Sequence, residues 1–244
     1  TFVTDDIVVR FRGGRQEQSF NDYICQQIAR LKRLGKIRTS ETYMAALRSF
    51  SGFMNDKAVL FDQLNADLIA EYEAYLKGRG NSPNTVSFYM RILKAVYNRA
   101  VEDELTEQRY PFKYVYTGGE KRLKRALSLN AIRRIKGLDL SLKPNLDYAR
   151  DMFLFCFYTR GMSFIDMAYL RKKDLQNGIL SYRRRKTGQQ LFIKWEKCMQ
   201  DILDKYPVNE TEYLLPIITE RNEDYRKQYA NALHRVNHLL KKIG

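Results

Sequence analysis

Apolar residues recur at a helical interval from Ser19 to Glu104, whereas only two short later stretches, 178–184 and 190–195, alternate apolar with polar. A chain patterned this way must bury its apolar faces mainly helix against helix, with a small antiparallel sheet as a minority element. The spacing of Phe20, Ile24, Ile28 and Leu31 predicts a helix over about 19–34, closed by Gly35. A second is expected over about 40–54 on Tyr43, Ala46, Leu47 and Phe50, and a third over about 65–77, stopped by the GRGNS stretch. Ser82 followed by Pro83 reads as a capping hydroxyl with proline at the first helical position, opening a fourth helix through Val86, Met90, Leu93, Val96, Tyr97 and Ala100. Four amphipathic helices with short connections make a compact bundle.

Residues 105–127 interrupt the pattern with Pro111, Gly118, Gly119 and the cations Lys121, Arg122, Lys124 and Arg125. Beyond them Ser128 caps a short helix to about 136, and Pro144 opens a longer one to about Tyr158 whose apolarity marks it as buried. The alternating stretches GILSYRR and QLFIKW flank Arg185-Lys186-Thr187-Gly188-Gln189, a hairpin with glycine available for positive φ. A helix is expected at about 195–205, then a loop with Pro207 and Pro216, then a long polar helix over about 222–242. The expected organisation is a strand-like N-terminal stretch (1–18), a helical domain (19–110), a basic linker (111–127) and a second domain (128–244).

Charge narrows the class of partner. The 244 residues carry a formal +15 and are 44% hydrophobic, enough apolar material for two modest cores. Residues 1–120 hold 17 Lys+Arg against 15 Asp+Glu, while 121–244 hold 26 against 13, so the second half carries the field. A polyanion is the expected partner, with nucleic acid ahead of a membrane surface. The longest apolar run, MFLFCFY at 152–158, is far short of the roughly 20 residues of a membrane-spanning helix, and the first residues lack a secretory signal. The protein is therefore expected inside the cell, with no membrane role. Cys25, Cys156 and Cys198 are odd in number and have no metal-like spacing; they read as reduced thiols, mostly in the core. His234 and His238 share a helix face but have no third ligand at a recognisable spacing, so neither metal nor cofactor is expected.

The order of parts, a four-helix bundle, a Lys/Arg-rich linker and a mostly helical domain holding a basic β-hairpin, resembles the tyrosine recombinase (phage integrase) family. The stretch 82–94 (SPNTVSFYMRILK) is similar to the last long helix of that family's core-binding domain, and 124–132 (KRALSLNAI) to the start of its catalytic domain. The stretch 157–170 (FYTRGMSFIDMAYL) resembles the first catalytic box, and 180–193 the hairpin bearing a catalytic lysine. The resemblance implies a mainly α fold: a four-helix SAM-like core-binding domain, then a mostly helical catalytic domain with a small antiparallel sheet. It also implies DNA recombination and integration in a mobile element, metal-independent, by a bacterial, cytoplasmic, DNA-associated protein that self-assembles on duplex DNA when full length. In such enzymes a tyrosine attacks a DNA phosphodiester; charge building on the phosphoryl oxygens calls for fixed arginines, and the departing 5′-oxygen for a general acid. Lys186 stands where that acid would be.

Two departures follow. The family's first box usually reads Gly-Leu-Arg-hydrophobic-Ser-Glu/Asp, whereas here Gly161-Met162-Ser163-Phe164-Ile165-Asp166 places Ser163 at the arginine position. A hydroxyl lacks the guanidinium's charge. Arg160, three residues earlier, is expected on nearly the same helical face and is the candidate substitute. Second, the 244 residues hold no His-x-x-Arg: the third residue after His234 is Asn237, and no tyrosine follows a matching box. The expectation is a fragment that is monomeric and binds DNA without cutting it.

Arg183, Arg184, Arg185 and Lys186 form the strongest candidate phosphate contact, with Lys121, Arg122, Lys124 and Arg125 weaker. Asn84, Thr85, Arg91 and Lys94 are candidates to face the major groove, with Arg48 on the second helix a lesser one. The competing functions are a non-catalytic, sequence-specific DNA-binding regulator derived from a recombinase, an RNA-binding protein, disfavoured for want of an evident aromatic platform, and a Mg²⁺-dependent nuclease, disfavoured because Asp166 and Asp174 form no carboxylate cluster.

Overall fold

The computed structural model describes residues 18–120 and 126–243. The chain divides into two compact units, 1–124 and 125–244.

In the first unit, Ser19 accepts from the Asp22 amide at 3.1 Å and opens α1 (Phe20–Arg33); α2 (Ile37–Phe53) lies against it. Asn65 caps α3 (Ala66–Gly78) through the Leu68 amide at 2.9 Å, and Ser82 caps α4 (Pro83–Glu102) with Pro83 at its first position. Each cap satisfies a helix-terminal N–H that would otherwise lack an intrahelical partner. The apolar stripes meet in an aromatic core: Phe20 packs edge-on against Phe50 and Phe61, and Phe50 against Tyr72 at 5.1 Å.

The core does not stop where the helices do. Phe112 and Val115, in the stretch assigned by sequence to the linker, are buried in it. Tyr97, itself buried, donates its hydroxyl to the Glu107 carbonyl at 2.8 Å and accepts from the Arg109 amide at 3.1 Å. Three further ties fasten the following residues: the Tyr116 amide donates to Glu73 at 3.0 Å, the Ser87 hydroxyl to the Gly118 carbonyl, and the Glu120 amide to Asn84 at 2.9 Å. A Cβ at Gly118 would stand 2.7 Å from the Tyr116 ring, so a larger residue there would displace that exposed side chain.

The second unit contains α5 (Leu129–Lys136), α6 (Pro144–Tyr158), α7 (Phe164–Ala168), α8 (Lys197–Leu203) and α9 (Tyr225–Ile243) around a sheet of order β1-β2-β3. The strands, β1 (Leu175–Gln176), β2 (Ile179–Arg183) and β3 (Gln190–Lys194), are antiparallel, with Leu180 opposite Ile193 and Tyr182 opposite Leu191. This register turns Leu180, Tyr182 and Ile193 inward and leaves Ser181 and Phe192 on the outer face. α9 packs on α6 and α7. Asp151 is buried on α6, where Lys205 and the Tyr206 hydroxyl converge on it, the latter at 2.8 Å. Asn209 donates to the Leu215 and Ile218 carbonyls at 2.9 Å each and so shapes the loop before α9.

Several expectations need correction. The helix after the hairpin spans Lys197–Leu203 rather than 195–205, because Trp195 is held to the sheet through its amide and the Gly178 carbonyl at 2.8 Å. The short α7 and β1 carry too few residues to show a period and were not foreseen. Cys25 is exposed, contrary to a core reading, whereas Cys156 and Cys198 are half-buried and pack against the second core. Among the described residues no helix is long and apolar enough to cross a membrane. Residues 1–17 of the expected strand-like N-terminal stretch lie outside the described residues.

Candidate nucleic-acid interface

The first-box residues form a turn, not a helical face. α6 ends at Tyr158, Arg160 and Gly161 both take left-handed backbone (φ 58 and φ 82), and Ser163 is the N-cap of α7. Glycine tolerates that conformation without strain, which explains its place here. Arg160 therefore does not share a helical face with Ser163, which corrects the geometric argument for it. Its side chain is exposed and has no hydrogen-bond or ion-pair partner among the described residues.

Ser163 is committed to structure. Its hydroxyl donates to Asp166 Oδ2 at 2.6 Å and accepts from the Asp166 amide at 3.4 Å, capping α7. Asp166 is 3% exposed. A polar group so buried needs hydrogen-bond partners, and its second oxygen, Oδ1, accepts from the Arg185 amide at 2.9 Å. One side chain thus joins the first box to the hairpin tip 19 residues away.

The tip is shaped by its own hydrogen bonds. The Arg184 amide donates to the Gln189 carbonyl at 2.8 Å, the Gly188 amide to the Arg184 carbonyl at 2.7 Å, and Arg183 Nη1 to the Gly188 carbonyl at 3.0 Å. The Arg185 guanidinium lies 4.1 Å from the Tyr169 ring centroid, a cation–π geometry. Lys186 is exposed at the tip. Asp166, Tyr169, Arg171, Tyr182, Arg183 and Arg185 line a hollow of about 220 Å³ beside it. Burial pushes the Tyr182 hydroxyl above its ordinary value, and the neighbouring Asp166 charge pushes it further the same way. Arg185 was expected from the sequence as a DNA contact, but its amide bond to Asp166 and its packing on Tyr169 were not foreseen, because neither contact leaves a pattern along the chain.

In the first unit the proposed groove residues separate. Arg48, Arg91 and Lys94 are exposed, although Arg91 Nε also reaches the Ser87 carbonyl at 3.4 Å. Asn84 instead uses its amide on the main chain of Glu120, and the Thr85 hydroxyl is 2.9 Å from that of Ser82. Lys121, Arg122, Lys124 and Arg125 lie outside the described residues. Tyr110, Tyr114 and Tyr116 are exposed.

A helical SAM-like unit followed by a helical unit with a three-stranded sheet and a basic hairpin is the fold of the integrases. Residues 19–115 match the family of phage integrase SAM-like domains. Solved structures similar in fold include a lambda integrase tetramer bound to a Holliday junction, 13% identical with a TM-score of 0.67, covering 95% of this chain and 67% of that one. A lambda integrase dimer bound to a COC′ core site matches with TM-score 0.66 and 13% identity, covering 97% of this chain and 68% of that one. The Tn1549 transposon integrase in complex with a circular intermediate DNA matches with TM-score 0.56 and 16% identity, covering 77% of this chain and 64% of that one. No curated protein sequence matches the chain.

Proposed function

We propose that this chain is the DNA-holding part of a tyrosine-type site-specific recombinase of a mobile element. The observation that carries the reading is the junction at Asp166, where a first-box carboxylate holds the main chain of a hairpin tip bearing Arg183, Arg184, Arg185 and Lys186. An exposed cationic tip fixed at its base suits a phosphodiester, whose charge must be met by groups already in place. Lys186 is the general acid for the leaving 5′-oxygen, Arg183 to Arg185 hold neighbouring phosphates, and Arg48, Arg91 and Lys94 contact the duplex from the first unit. Arg160, exposed and without a hydrogen-bond or ion-pair partner among the described residues, is the cation assigned to the charge that Ser163 lacks.

The chain by itself binds duplex DNA as a monomer without breaking a strand, and a protein carrying the further boxes assembles on paired sites. A gel shift across a salt series tests the binding: affinity falls steeply with salt and discriminates among duplexes, and affinity indifferent to salt refutes it. In a protein with the further boxes, intact cleavage of a suicide substrate by Arg160→Ala removes that residue's role. The structural use of Ser163 by Asp166 favours a second reading, a non-catalytic DNA-binding regulator; cleavage of the suicide substrate excludes it.

A further inference from the structure

A second surface in the first unit has the chemistry of a ligand site and is not used by the duplex reading apart from Lys94. Between α4 and the stretch 108–113 lies a hollow of about 240 Å³. The buried rings of Tyr97 and Phe112, 6.2 Å apart, belong to its lining, and Lys94 and Lys113 stand at its rim. The hollow is held open by the protein's own bonds. The Tyr97 hydroxyl pins residues 107 and 109, Gln108 donates to Asn98 at 3.3 Å and accepts from the Tyr110 amide at 2.9 Å, and the Lys113 amide returns to the Tyr110 carbonyl at 3.1 Å.

Tyr110 is the unexpected member. It is 66% exposed and has φ 52, a left-handed conformation that disfavours bulky side chains. Folding alone would favour glycine or asparagine there. An aromatic ring kept exposed on a strained backbone points to a use outside the fold. Beside it Tyr114 is 76% exposed, and the Lys113 ammonium sits 5.2 Å from its ring centroid.

We propose that this surface binds an unpaired DNA strand, one base against Tyr110 over the apolar hollow, the next on Tyr114, and the phosphates beside Lys94 and Lys113. Exposed π faces beside cations are what single-strand binding uses. A base inside a duplex has both faces covered and does not enter without being extruded. The lysines at the rim favour an anionic strand over an apolar protein side chain.

The test is fluorescence anisotropy of the whole chain with three labelled probes of equal length: an oligothymidylate, a strand of abasic residues and a blunt duplex. The thymidylate binds more tightly than the abasic strand; Tyr110→Ala and Tyr114→Ala each weaken it roughly 5- to 150-fold, Tyr110→Phe retains it, and duplex affinity changes less than about twofold. Tyr110→Gly relieves the backbone, so it raises stability while removing thymidylate binding, a combination that no folding defect produces. Equal affinity for the thymidylate and abasic strands, or an unchanged Tyr110→Ala, overturns the inference. Tyrosine-dependent strand binding without any duplex binding sustains it and instead refutes the function proposed above.

Discussion

Removing the Asp166 carboxylate should loosen the hairpin from the first box. In Asp166→Ala the Arg185 amide and the Ser163 hydroxyl both lose their acceptor, and the buried position is left partly empty. Hydrogen bonds to a charged group contribute about 1.5–3 kcal/mol each, but the carboxylate's own desolvation offsets part of that. We expect a net loss of about 2–4 kcal/mol from the second unit. Asp166→Asn keeps a carbonyl oxygen for the Arg185 amide and offers an N–H to Ser163, so its loss should be about 0.5–1.5 kcal/mol. Trp195, the only tryptophan, packs against Phe155 in the second unit, so its fluorescence during urea unfolding reports on this unit alone. Duplex affinity should fall in the same order, Ala below Asn below parent, because the cationic tip is no longer held. A stability within about 0.5 kcal/mol of the parent for Asp166→Ala, or equal damage by the two substitutions, refutes the account of the junction.

Other parts of the molecule make separate predictions. Phe112→Ala, in a residue 3% exposed, should cost the first unit about 3–5 kcal/mol by denaturant unfolding, and an indifferent result would return 111–115 to the linker. Asp151→Ala should cost about 1–3 kcal/mol, because Tyr206 loses its acceptor while the part-exposed Lys205 keeps Asp147; wild-type urea midpoints would refute this. Burial alone would lower the Lys205 pKa, but hydrogen bonds to Asp147 and Asp151 outweigh it and raise the pKa above 10.5. Its contribution is thus complete below 10.5 and lost as pH climbs through the folded value, so Lys205→Met should flatten the alkaline fall in melting temperature. Burial would raise the Glu73 pKa, yet the bonds from Lys77 and the Tyr116 amide hold it below 4.5. That stabilisation is present above 4.5 and fades as pH falls through the lower folded value; hydrogen-exchange protection of the Tyr116 amide should fade with it, and unchanged protection would refute the tie.

What the sequence determined by itself is what depends on near neighbours. Helix period, capping serines at 82 and 128, and the glycine-bearing hairpin are set within a few residues, which is why those elements form where their patterns stand. The tertiary structure alone decided which polar groups are left for a ligand. Asn84, a natural candidate for a base edge, is used 36 residues away on Glu120, and Ser163 is used on a buried carboxylate that reaches across to Arg185. Tyr110 and Phe112 are two positions apart with similar rings, yet one is exposed and the other buried. The reason is that burial and hydrogen-bond pairing are properties of contacts between distant segments, and no period along the chain encodes them.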